Sequence, residues 1–365
     1  MSPKRRIAIV GAGPAGLSTA FHLTDQPGWS DDYDVDVYQL AWRVGGKGAT
    51  GRNPDAFERI QEHGIHLFGN MYFNSLRMLK ECYEQVDWDA GDRFRTIEEA
   101  FRPCIFNYNT DYWNGRWHAA VARFPDNDSV PWEGDLWPDH RLIVQSFLTV
   151  ISFRLGSFLT PQREPRGLLA RILWWLRRKA GDELALALGR IGEHLAREAA
   201  DPRPPHPDHH DAALTLLTDV VKLLEQRYLE RPDDPQRRFA LVDIDLPVTI
   251  LRGIVEDRLA ATDIDSVDDE NYRDWLARHG ATETTLSSTL PQVYPNVSFG
   301  YEAGDTTKVA TMAASAYVTF FLRQVLGKGA GGYFFAEGTG DTVMKPLYRL
   351  LVQRGVRIHF FHKLT

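Results

Sequence analysis

Cysteine is scarce in this chain: 365 residues contain two, Cys82 and Cys104. Neither lies in a C-x-x-C pair or a Cys/His cluster at zinc spacing, so a disulfide framework and structural zinc both lack support. A chain this long buries roughly 75% of its unfolded surface without such staples. That usage fits an intracellular, cytoplasmic protein. An excess of positive charge is also missing. Against 42 Lys+Arg stand 49 Asp+Glu, a formal charge of -7, and the broad basic surface that attracts nucleic acid is absent. Long apolar runs are missing too. Leu142 to Phe153 and Val309 to Leu322 extend for 12 and 14 residues, short of the roughly 18 that span a bilayer. Lys4, Arg5 and Arg6 before an apolar run imitate a secretory signal, but the run contains a glycine pattern and no small-residue cleavage site. No Ser/His/Asp set, paired-carboxylate motif, P-loop or repeat period emerges.

With 43% hydrophobic and 25% charged residues the chain is an ordinary folded protein, and its length suggests two domains. Ile7 to Val10 form a continuous apolar run that predicts a parallel strand buried on both faces. Gly11-Ala12-Gly13-Pro14-Ala15-Gly16 follows at once. Leu17, Ala20 and Phe21 then recur at helical spacing, Pro27-Gly28 breaks the helix, and Val35 to Gln39 reads as a second strand. Strand, glycine turn, helix and strand in that order predict a dinucleotide site. Gly11 permits the tight turn, Gly13 admits a pyrophosphate, and Gly16 lets the helix approach the strand, while the helix N-terminus offers unpaired N–H groups and partial positive charge. Where an acidic side chain normally accepts hydrogen bonds from an adenosine ribose, this chain has Gln39, a neutral and weaker acceptor. A ribose 2′-phosphate anchored by Arg43 is the competing explanation.

Trp42-Arg43-Val44-Gly45-Gly46-Lys47 follows the second strand. This segment resembles the flavoprotein family that includes amine oxidases and phytoene or carotene desaturases, in which it runs beside the FAD diphosphate. The resemblance continues through Glu62-His63-Gly64-Ile65-His66-Leu67-Phe68-Gly69, which looks like the desaturase pattern near the flavin ring and gives His66 a flavin-facing role. As a metal pair, His63 and His66 lack a third ligand nearby. A third match runs from Tyr333 to Val343 and on through Arg354 to Phe361. It resembles the return of the desaturase chain to its FAD domain, with the strand after Gly355 rejoining the nucleotide sheet and Leu364 touching adenine through its backbone. Asn271 to Leu276 with His279-Gly280 resembles a desaturase helix that ends at glycine, and Val309 to Leu322 would be a buried helix beside the substrate channel.

The resemblance implies an α/β fold: a Rossmann-type, glutathione-reductase-like FAD-binding domain with a parallel sheet, discontinuous over 1–100 and 330–365, and a largely helical α+β substrate domain over 101–329. It implies FAD held by Gly11, Ala12, Gly13, Pro14, Ala15, Gly16, Gln39, Arg43, Gly45, Gly46, Lys47, His66 and Leu364. The implied reaction is hydride transfer from an apolar isoprenoid, polyene or lipid-like substrate to the flavin, with no catalytic residue assigned. A flavin amine oxidase, a redox-neutral isomerase and a non-catalytic flavin-binding or lipid-surface protein remain as alternatives. The family's second FAD segment lies far downstream, so the resemblance predicts that this chain is an N-terminal fragment.

Within the middle region, 202–211 reads as an exposed Pro/His-rich loop. Ala213 to Leu229 has helical spacing, and Phe239 to Leu251 mixes strand and helix signals. Residues 163–179 carry six bases and one acid around an apolar stripe. Such a helix either packs on the core or lies in a membrane interface, which offers a peripheral membrane contact.

Overall fold

A computed structural model describes residues 4–64, 66–123, 129–134, 146, 147, 150, 151, 154, 207–259 and 263–365. The basic segment 163–179 lies outside the described residues, as do 202–206 and most of the apolar run 142–153. The chain divides into two compact units. One comprises Met1–Cys104, Asp126–Gly134 and Lys328–Thr365, the other Ile105–Pro125 and Asp135–Gly327.

The first unit is built on a three-stranded parallel sheet in which β2 (Tyr33–Tyr38) lies between β1 (Arg5–Val10) and the late strand Arg357–His359. The strand expected after Gly355 therefore forms and pairs with β2, Ile358 opposite Val37. Helix α1 (Pro14–Thr24) connects β1 to the short helix before β2, and its apolar positions explain its placement: Leu17, Ala20 and Phe21 are all buried. Leu17 and Phe21, removed from water, each contribute about 1.5–3 kcal/mol. They meet Val35 and Val37 from the sheet and Leu347, Leu350 and Leu351 from the helix Lys345–Gln353 in one core. β1 differs from the sequence expectation. Ile7 and Ile9 are half-buried while Val10 is 61% exposed, because among the described residues β1 pairs on one edge only. A second sheet of the same unit is antiparallel: the strand Gly332–Phe335 lies between Leu67–Gly69 and Phe101–Cys104.

In the second unit a helix, Pro235–Glu256, forms the centre of the core. Its mixed sequence signal has a physical reason: residues around most of its circumference are buried, so no polar face marks the helical period. Asp234 caps it by accepting from the backbone N–H of Gln236 at 3.0 Å. Buried charges on it are paired. Arg238 donates to Asp111 at 2.8 Å, Asn109 donates to Asp243 at 3.1 Å, and Asp245 accepts from the backbone and hydroxyl of Thr282 at 2.8 and 2.7 Å. Burial pushes the Asp243 carboxyl above its ordinary pKa. Trp275 of the helix Tyr272–Arg278 packs where Gly253 leaves room, since a Cβ there would lie 2.2 Å from the indole ring.

Two further expectations shift. Residues 207–211, expected as part of an exposed loop, instead open the helix Pro207–Leu229, whose first residue, Pro207, suits the first helical turn. The helix expected over Val309 to Leu322 runs instead over Ala314–Leu326. Among the described residues, no helix is long and apolar enough to cross a membrane.

Candidate functional site

The glycine turn stands at the carboxyl ends of the parallel strands. Gly11 leaves β1 with φ +95°, a conformation that favours glycine, and its N–H donates to the Tyr38 carbonyl at 2.8 Å. Gly13 precedes α1 in extended conformation, with no side chain capping the helix. Pro14 opens the helix, which costs no hydrogen bond there. The first-turn N–H groups, including that of Ala15, have no partner within the helix. Gly16 is fixed by sterics, for a Cβ on it would lie 1.9 Å from the Gly11 carbonyl oxygen.

The second glycine segment folds against the first. Gly45 donates its N–H to the Ala12 carbonyl at 2.6 Å. Gly45 and Gly46 both adopt positive φ, +109° and +54°. A Cβ on Gly46 would reach 3.4 Å from the Gly13 Cα, whereas a Cβ on Gly13 would meet nothing within 4 Å. Gly46 and Lys47 are exposed, and Gly13 is half-buried. The two turns thus border an open mouth that two further side chains would fill.

Gln39, just past β2, is tied into this mouth. Its Oε1 accepts from the Ala12 N–H at 2.9 Å. The acceptor that sequence reasoning offered to a ribose is therefore occupied by the loop. Arg43 likewise is no free anchor for a 2′-phosphate: its guanidinium donates to the Thr50 carbonyl and lies over the Trp42 ring. The predicted residues Gly11, Ala12, Gly13, Pro14, Ala15, Gly16, Gln39, Gly45, Gly46 and Lys47 form one locus, with Arg43 bracing its second loop.

His66 and Leu364 lie on other segments of the same unit. His66 Nδ1 lies 2.5 Å from Glu62 Oε2 and 2.8 Å from Thr339 Oγ1. Glu62 also accepts from the Thr50 hydroxyl at 2.5 Å and from the Thr339 backbone at 2.6 Å, and Thr50 accepts from the Gly340 N–H at 2.7 Å. Burial by itself would raise the Glu62 pKa, but the hydrogen bonds from Thr50, His66 and Thr339 outweigh it and hold the carboxyl below the ordinary glutamate value. This knot joins three segments distant in sequence, and His66 is one of its ties. Leu364 is 76% exposed. Two residues before it, the His362 N–H donates to the Gln39 carbonyl at 3.0 Å.

Sequence reasoning missed Thr50 and Thr339, whose hydroxyls complete the Glu62 knot. It also missed the cluster around Asp36. This buried carboxylate takes two hydrogen bonds from Arg357, at 2.7 and 2.8 Å, and one from His359 at 2.7 Å. Arg357 chiefly, with His359, holds the Asp36 carboxyl well below the usual carboxylate range. An acid at the fourth position of β2 with a base and a histidine two apart on a later strand was the available signal. Among the described residues, no group of three His, Cys, Asp or Glu side chains stands together as a metal site.

The class follows from a family comparison: residues 9–82 match the NAD(P)-binding Rossmann-like domain. More particularly, the chain is 40% identical over 79 residues to the zeta-carotene desaturase of Solanum lycopersicum, chloroplastic/chromoplastic, and 39% identical over 95 residues to that of Arabidopsis thaliana. A zeta-carotene desaturase of Synechocystis is 34% identical over 76 residues. These matches cover 22%, 26% and 21% of this chain, and 12%, 16% and 14% of those enzymes' own lengths. The N-terminal region carries a Rossmann-like domain and resembles zeta-carotene desaturases there.

Proposed function

We propose that the first unit is the dinucleotide-binding part of an FAD-dependent oxidoreductase of the carotene desaturase kind, glutathione-reductase-like in fold, acting on an apolar polyene or isoprenoid. The FAD domain would comprise 1–100 and 330–365, together with 101–104 and 126–134 of the same unit, and the remainder of 101–329 would serve the substrate. The observation that carries the reading is the open mouth at Gly13, bordered by Gly46, at an uncapped helix N-terminus. A diphosphate there would receive the first-turn N–H groups and the positive end of the α1 dipole. Gly13 and Gly46 keep side chains out of its path. Gly45 holds the second loop against the first and Arg43 braces that loop internally, so the mouth exists before any ligand arrives, which lowers the ordering cost of binding. The Glu62 knot fixes His66 and Thr339 in the same unit. Flavin, when bound, supplies hydride acceptance, and the protein supplies position and dryness.

The zeta-carotene desaturase likeness of the matched region supports this substrate class over amines. The test is an absorbance spectrum of the purified protein, followed by anaerobic addition of a polyene or an amine. A flavin band that a polyene bleaches and an amine leaves intact is the expected result. A protein that neither carries nor takes up flavin would overturn the reading.

A further inference from the structure

Two helix starts lie beside Gly48, and the chain treats them differently. A Cβ on Gly48 would lie 3.8 Å from Pro14 Cγ and 3.5 Å from Thr339 Cγ2. Pro14 opens α1, whose start has no capping side chain. Thr339 precedes the helical stretch through Gly340–Met344 and Lys345–Gln353, and protein groups fill that start. Glu62 Oε1 accepts from the Thr339 N–H at 2.6 Å and from the Thr50 hydroxyl at 2.5 Å, while Thr50 Oγ1 accepts from the Gly340 N–H at 2.7 Å. The Glu62 carboxylate thus stands where a helix start attracts an anion. Gly338 permits the approach, since a Cβ there would lie 2.3 Å from Thr50 Oγ1 and 2.9 Å from Glu62 Oε1.

The second glycine loop is braced on this filled start at two points. A Cβ on Gly45 would lie 3.1 Å from Met344 Cγ, and one on Gly48 would lie 3.0 Å from Met344 Cε, so the loop packs closely on the helix that Glu62 anchors. Arg43 supplies the other brace by donating to the carbonyl of Thr50, the residue whose hydroxyl Glu62 holds. Gly46, which stands against Gly13 across the mouth, lies in the chain between these two supports. The width of the mouth therefore depends on a carboxylate that does not border it.

Resting on the reading that this mouth holds the diphosphate of FAD, we propose that Glu62 is its positioning residue: it fills the second helix start, which leaves the start of α1 for the ligand's anion, and through Thr50 and Thr339 it sets the place of Gly45–Gly48 relative to Gly13. The test titrates the full chain with FAD at neutral pH and compares Glu62→Gln, Thr50→Val, Thr50→Ser and the double variant Glu62→Gln/Thr50→Val. Glutamine keeps one oxygen but puts an NH2, which only donates, in place of the other acceptor. Glu62→Gln and Thr50→Val should each weaken FAD binding about tenfold, roughly the worth of one hydrogen bond. The double variant should lose little more than either single one, because members of one hydrogen-bond network do not add. Thr50→Ser keeps the hydroxyl and should bind as the wild type does. Arg238→Ala, which disturbs the core of the second unit, is the control for lost stability and should keep its FAD affinity. Unchanged affinity in folded Glu62→Gln, losses that add in the double variant, or an equal loss in Arg238→Ala overturns the role of Glu62 and leaves the nucleotide site standing. If Glu62→Gln does not fold, equal affinities of Thr50→Val and Thr50→Ser overturn it instead. A wild type that binds no FAD overturns the site itself.

Discussion

The glycine mouth and the central helix of the second unit handle polar groups in opposite ways. Around Gly13 the backbone is open, with an uncapped helix start and room for a Cβ that meets nothing. Along Pro235–Glu256 polar groups are buried and engaged: Arg238 with Asp111, Asp243 with Asn109, Asp245 with Thr282. Donors without partners at a surface are where a ligand gains most, whereas a buried charge that already has a partner holds the fold. Charge alone is thus a poor guide to the functional site.

The contrast can be broken from either side. Arg238→Ala should have the largest effect, about 3–5 kcal/mol of lost stability, because it leaves Asp111 buried without its cation. Urea unfolding measures this, and flavin affinity of the folded variant should be unchanged. Gly16→Ala should cost about 3 kcal/mol, since its Cβ would collide with the Gly11 carbonyl and the helix must shift. Thermal unfolding and flavin titration should both register it. Glu62→Gln should cost about 1–3 kcal/mol at neutral pH through weakened hydrogen bonds. The Glu62 pKa is lower in the folded chain than in the unfolded one, so its contribution is complete above the unfolded value of about 4.3 and disappears as pH falls through the folded value. The gap between wild type and variant should close in acid, and a gap constant from pH 7 to pH 3 would refute the carboxylate's role. Gly13→Ala should have the smallest effect on stability, less than about 1 kcal/mol, because its φ is -78° and its Cβ has room. Its effect belongs to binding: flavin affinity should fall about tenfold, a loss of about 1.4 kcal/mol. Unchanged affinity would show that the mouth is not the diphosphate site.

Much of the first unit was legible locally. The turn from Gly11 to Gly16 and the spacing of Leu17, Ala20 and Phe21 each act within a few residues, and the structure has them as strand exit, turn and buried helix face. Gln39 was legible as a departure from an acid. Its direction was not, since that depended on the Ala12 N–H 27 residues away. The Glu62 knot was illegible for the same reason: Thr339 lies within a recognisable segment, but its bond to Glu62 spans 277 residues, and Thr50 carries no local pattern. Helix Pro235–Glu256 read ambiguously because burial on many sides erases the amphipathic period.

The sequence by itself determined where glycine had to be, because steric exclusion at a turn and at a helix–strand crossing depends on the residue and its immediate neighbours. Only the tertiary structure decided what the polar side chains offer. Whether Gln39 presents an oxygen or an NH2, and whether Arg43 and His66 are free or bound, is set by partners brought close from distant segments, and a hydrogen bond has a direction that composition does not carry.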